Sequence, residues 1–91
     1  MKPKISVQSA GSNKYRVTID EGQTNSTHEV TVTPLELAKY GGQATAERLV
    51  EASFEFLLER EPKESILRTF NLSDIETYFP EYANQIRQLL S

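Results

Sequence analysis

His28 is the only histidine in the chain, and it is the one side chain suited to proton transfer near neutral pH. A general base needs a second group to orient it and a third to act on. Its neighbours Thr27 and Glu29 cannot serve, because adjacent residues of a strand project to opposite faces. With no cysteine and no second histidine, a zinc site would take most of its ligands from carboxylates, an uncommon set. His28 is therefore expected to be a structural strand histidine. Glu47, Glu51, Glu55 and Glu59 recur every fourth residue, so a helix places them along one side. Like charges at this spacing repel by about 0.2–0.5 kcal/mol per pair. Such a stripe is either a solvated face or a docking surface for a basic partner. Tyr78, Phe79 and Tyr82 surround Pro80 and form an aromatic turn, which suits either a C-terminal lid on the core or a contact surface.

No glycine-rich phosphate loop, nucleophile elbow or distinctive carboxylate pair accompanies these residues. The chain is expected to be non-enzymatic, with no catalytic residue, cofactor or metal. Its 91 residues carry a net charge of −3, divided as +1 over residues 1–45 and −4 over residues 46–91. An acidic half argues against nucleic acid as the partner, since that affinity depends on neutralising phosphates. Lys2, Lys4, Lys14 and Arg16 are the one basic group that would serve it. The absence of cysteine suits a reducing cytoplasm. Neither a secretion signal nor a membrane-spanning run is read in the sequence.

The elements that must position these residues divide at Thr33-Pro34. Before that point apolar residues alternate; after it they recur every three or four positions. Strands are expected over Lys4–Gln8, Tyr15–Asp20 and Thr27–Thr33. They turn Ile5, Val7, Tyr15, Val17, Ile19, His28, Val30 and Val32 to one face. Short polar connections imply antiparallel hairpins. Thr33-Pro34-Leu35-Glu36 combines an N-cap, a proline at the first helical position and a capping-box glutamate. Gly41-Gly42 should end that helix.

A long helix follows from Ala46 to about Arg60, with an apolar arc wide enough for two neighbours. Pro62 is expected to open another helix through Ile66, Leu67 and Phe70, with an ion pair between Glu64 and Arg68. Ser73-Asp74-Ile75-Glu76 reads as a second capping box, and Pro80 as the start of a last helix. The sum is one α+β domain over residues 1–91. Residues 1–33 form a three-stranded antiparallel sheet, and residues 34–91 form three to five helices packed on one face of it.

The stretches Phe54-Glu55-Phe56-Leu57-Leu58-Glu59-Arg60-Glu61-Pro62-Lys63-Glu64-Ser65-Ile66-Leu67-Arg68 and Tyr78-Phe79-Pro80-Glu81-Tyr82 resemble a family of short uncharacterised prokaryotic proteins. That resemblance implies one intact domain and brings no activity with it. Gly41-Gly42-Gln43 is similar to the tripeptide by which release factors promote peptidyl-tRNA hydrolysis, but its surroundings lack basic residues, and a helix end accounts for the glycines. A broader resemblance, in size and acidity, is to small antitoxins. The expected function is a cytoplasmic protein-interaction module. Its contacts would be Glu47, Glu51, Glu55, Glu59, Tyr78, Phe79 and Tyr82, and its partner another protein or a second copy in a homodimer. An antitoxin-like or nucleic-acid-associated regulator is the alternative.

Overall fold

The computed structural model describes residues 3–91, and every structural statement below concerns those residues. Three strands come first: β1 (Lys4–Gly11), β2 (Lys14–Asp20) and β3 (Asn25–Thr31). They form the expected antiparallel meander, pairing Ile5 with Ile19, Val7 with Val17, and Val17 with His28. Asn13 turns the first hairpin in the left-handed region (φ 60°), which asparagine tolerates better than most residues.

Thr33 caps α1 (Pro34–Glu36) as expected. The Glu36 backbone N–H donates to Thr33 Oγ1 (3.2 Å), and the Thr33 N–H donates to Glu36 Oε1 (2.8 Å). The helix continues as a π turn, Leu37–Gly41, and Gly42 leaves it at φ 59°. Gly41 is needed for close approach, because a Cβ there would sit 2.8 Å from Leu37 Cδ1 and 3.2 Å from Leu49 Cδ2. Thr45 caps the long helix α2 (Ala46–Leu58) through a bond from the Arg48 N–H (3.1 Å).

α2 lies across β1 and β2, and α4 (Tyr82–Leu90) packs on its other side. Val17, Ile19 and Val30 of the sheet, with Val32 just beyond β3, meet Val50, Phe54 and Leu57 in one cluster, none more than 3% exposed. Burying each large side chain contributes about 1.5–3 kcal/mol. The wide apolar arc is explained by the second neighbour: Phe56 packs edge-on against Tyr82 and Phe79, with ring centroids 5.2 and 5.9 Å away. No helix is long and apolar enough to cross a membrane.

The expectation fails after Pro62. Residues Lys63–Ser65 make only a 3-10 turn, and Thr69–Asn71 form a fourth strand, β4, parallel to β3. The sheet is therefore four-stranded and mixed, in the order β1-β2-β3-β4. Ile66 and Phe70 are spaced as on a helix, but they reach the core from a turn and a strand. Glu64 does not pair with Arg68; it holds Lys63 at 2.6 Å.

The second capping box is also absent. α3 (Asp74–Tyr78) has no side-chain cap from Ser73. Glu76 instead accepts from Tyr40 Oη (2.5 Å) and pairs with Lys39 (3.2 Å). The Ser73 N–H donates to Glu36 Oε2 (2.8 Å), so one glutamate serves the entry to two helices.

Candidate interaction surfaces

His28 is 2% exposed, and both of its ring nitrogens are engaged. Nδ1 lies 2.9 Å from the Leu67 carbonyl oxygen, which can only accept, so Nδ1 carries the proton. In the neutral ring Nε2 then accepts from the Ser26 hydroxyl at 2.8 Å. The ring rests against Phe54 at 5.5 Å. Its place in the fold is to tie the segment before β4 to β3, and neither nitrogen is free for a substrate or metal. No group of three or more histidine, cysteine or carboxylate side chains able to hold a metal occurs among the described residues.

The acidic stripe is only partly free-standing. Arg48 Nη1 reaches Glu51 at 2.8 Å and Glu55 at 3.1 Å, and these carboxylates hold the guanidinium above its usual pKa. Arg48 thus offsets part of the repulsion between the stacked like charges. Lys63 lies elsewhere: it is nearly buried, with Nζ 2.7 Å from Glu21, 2.6 Å from Glu64 and 2.8 Å from Thr24 Oγ1. The Glu21 bond first, then the Glu64 bond, pushes its ammonium pKa up.

Lys63 thereby draws the β2–β3 turn against the segment beyond α2, and a groove of about 580 Å³ opens between them. It is lined by the carboxylates Glu21, Glu51, Glu55, Glu59 and Glu61 and by the apolar side chains of Pro3, Ile5, Leu58 and Pro62. Glu47 lines a smaller depression beside it, with Val7, Arg48 and Glu51.

A second groove, of about 340 Å³, lies on the far side of Glu61. Leu57, Phe70 and Ile75 form its base, and Leu67, Tyr78 and Phe79 its sides. Leu67 is 51% exposed and Tyr78 68%, so both sides of this groove present large apolar side chains to solvent. Burial pushes the Glu61 carboxyl above its ordinary pKa. Asp74 stands at the opposite wall and accepts the Asn71 N–H at 3.0 Å.

The aromatic turn therefore divides. Tyr78 is open to solvent, and Phe79 is half-buried against Phe56. Tyr82 is wholly buried, which removes it from the expected contact surface. Its hydroxyl lies 2.6 Å from Ser53 Oγ, which in turn donates to the Leu49 carbonyl (2.7 Å). Burial drives its phenol well above the normal tyrosine pKa. Arg60 braces the turn from beneath, lying 3.6 Å over the Phe56 ring and 3.0 Å from Glu81.

The structure thus gathers Glu51, Glu55 and Glu59 at one groove, sets Glu47 beside it, and leaves Tyr78 and Phe79 at the other. It adds Glu21, Glu61 and Leu67. The only signal for these in sequence was an apolar Leu67 next to a proline-broken segment. Comparisons with protein-family models, curated proteins and solved structures returned no match to this chain.

Proposed function

We propose that the chain is a non-enzymatic, cytoplasmic protein-interaction module that holds a partner segment with both apolar and basic side chains. The observation that carries this reading is the contact between its two grooves. An apolar trough flanked by exposed Leu67 and Tyr78 adjoins an acidic trough, and Glu61 lines both. A partner crossing that boundary would bury aliphatic or aromatic side chains on one side and meet carboxylates on the other. Desolvated aromatic contacts of this kind supply much of the affinity at protein interfaces. Leu67→Ser with Tyr78→Ser should leave the fold intact, since both side chains face solvent, and should abolish partner capture in affinity pull-downs. Charge reversal at Glu51 and Glu55 should weaken capture and flatten its salt dependence. Capture unchanged in both variants would remove the reading.

A nucleic-acid-associated, antitoxin-like regulator is the second reading. It is favoured by the exposed outer face of the sheet, where Lys4, Lys14 and Arg16 lie. A salt-sensitive gel shift lost in Lys14→Ala with Arg16→Ala would support it.

A further inference from the structure

The two edges of the sheet are unequal. In β4 the outward N–H of Asn71 is closed by the Asp74 carboxylate at 3.0 Å, and the strand is three residues long. β1 is eight residues long, and its only strand neighbour is β2.

The hydrogen bonds settle which groups of β1 are free. The Val32 N–H donates to the Asn13 carbonyl (2.7 Å), and the Glu21 N–H donates to the Thr24 carbonyl (2.9 Å). In an antiparallel ladder, bonded residues alternate along each strand. Odd-numbered residues of β2 therefore bond β3, and even-numbered ones bond β1. The register pairs Lys4 with Asp20, Ser6 with Thr18 and Gln8 with Arg16. Lys4, Ser6 and Gln8 thus spend their backbone groups on β2, while Ile5, Val7 and Ser9 turn N–H and C=O to the open edge.

Natural sheets blunt such an edge with proline, lysine, bulges or a covering loop. Here Pro3 and Lys4 lie at one end and a register shift between Ser9 and Gly11 at the other. Nothing of the kind lies between Ile5 and Ser9.

We propose that this edge accepts an extended, lysine- or arginine-bearing peptide segment as a fifth strand. The inference rests on the interaction-module reading and specifies the form of the partner. Charge selects the occupant. On the helix side of β1, Ile5 shares a groove with Glu51 and Glu55, and Val7 shares one with Glu47, Arg48 and Glu51, so three carboxylates face a single guanidinium and the balance is acidic. Side chains of an added strand that project to that side meet both apolar side chains and carboxylates. A second copy of the chain pairing β1 to β1 about a two-fold axis normal to the sheet would bring two such acidic helices together across the seam, where like charges oppose association. A basic segment gains from the same field.

The test uses a fluorescently labelled peptide, TKTVTKTV, whose alternate lysines and valines share one face, with TETVTETV as its charge-reversed control. Binding to the full chain is followed by anisotropy. The lysine peptide should bind, weaken as salt is raised, and slow hydrogen exchange at the Ile5, Val7 and Ser9 amides. Val7→Pro and Ser9→Pro each remove one outward N–H and leave the β1–β2 ladder intact, so each should lower affinity about tenfold with the fold retained by circular dichroism. Ser9 is exposed, which separates loss of the edge from loss of core packing.

Equal binding of the two peptides, no binding at all, or full affinity in both proline variants would overturn strand addition. So would a dimer in sedimentation that Ser9→Pro dissociates, since a second copy would then occupy the edge. Lysine-peptide binding that survives both prolines but is lost on Glu51→Lys with Glu55→Lys would leave the interaction-module reading standing and strand addition refuted.

Discussion

Glu36 ties the helical half of the chain together, and its removal has a calculable cost. Oε1 accepts the Thr33 N–H and Oε2 accepts the Ser73 N–H, both at 2.8 Å. The first bond closes a capping box, a contact whose loss typically costs about 1 kcal/mol. The second is a charge-assisted bond to an exposed backbone donor, for which about 1 kcal/mol is appropriate after solvent screening. Glu36→Ala should therefore cost about 2 kcal/mol, equivalent to about 10 °C in melting temperature for a domain of this size.

The pH dependence has a definite sign. Burial raises the Glu36 pKa, but the bonds from Thr33 and Ser73 together outweigh it, and the net shift is downward from 4.5. The folded state thus favours the carboxylate. Its stabilisation is complete above the unfolded value and is lost as pH falls through the depressed folded value. Urea unfolding of wild type and variant, followed by circular dichroism at pH 7 and pH 3, should show a gap that shrinks in acid. A gap below about 0.5 kcal/mol at pH 7 would refute the assigned bonds, and so would a full gap that persists at pH 3. Because Ser73 precedes α3, the same variant should loosen the part of the apolar groove that α3 supplies through Ile75 and Tyr78.

Further outcomes concern the core. Phe54→Ala should cost about 3–5 kcal/mol by denaturant titration, since its ring fills the layer between His28 and Phe70; a loss under about 1 kcal/mol would mean that the layer collapses freely around it. Tyr82→Phe should cost about 1 kcal/mol, because the ring still packs on Phe56 and Ser53 Oγ keeps the Leu49 carbonyl as its acceptor; a neutral substitution would show that the buried hydroxyl contributes nothing net.

Local signals carried the parts of the fold that local physics decides. Strict alternation over residues 15–20 and 27–33 placed two faces correctly, because β2 and β3 bury one side only. Thr33 and Glu36 announced a helix start that the structure contains. The segment after Pro62 misled because Ile66 and Phe70 stand four apart, which is one helical turn. A strand of three residues is too short to display a period of two, and its pairing depends on β3, remote in sequence. Ser73 and Glu76 satisfied a capping-box pattern, yet tertiary contacts claimed them: Tyr40 and Lys39 drew Glu76 away, and Glu36 took the backbone donor it would have met. The acidic stripe was legible as a helix face. The groove it borders was not, because Glu21 reaches it only through Lys63, and Lys63 had no sequence mark of its buried position.

The parallel pairing of β3 with β4 joins residues about forty positions apart, Glu29 with Thr69, whereas β1, β2 and β3 fold back on near neighbours. Closing so long a loop is slow and brings no reward until the intervening helices have condensed. The locally paired meander of β1, β2 and β3 is therefore set to form the folding nucleus, and docking of the last strand to follow the rate-limiting barrier. Substitutions at Phe70 or Ile66 should accelerate unfolding and leave refolding nearly untouched. The apolar groove, assembled from that late-arriving segment, is then the first part of the surface to dissolve when the native state opens locally.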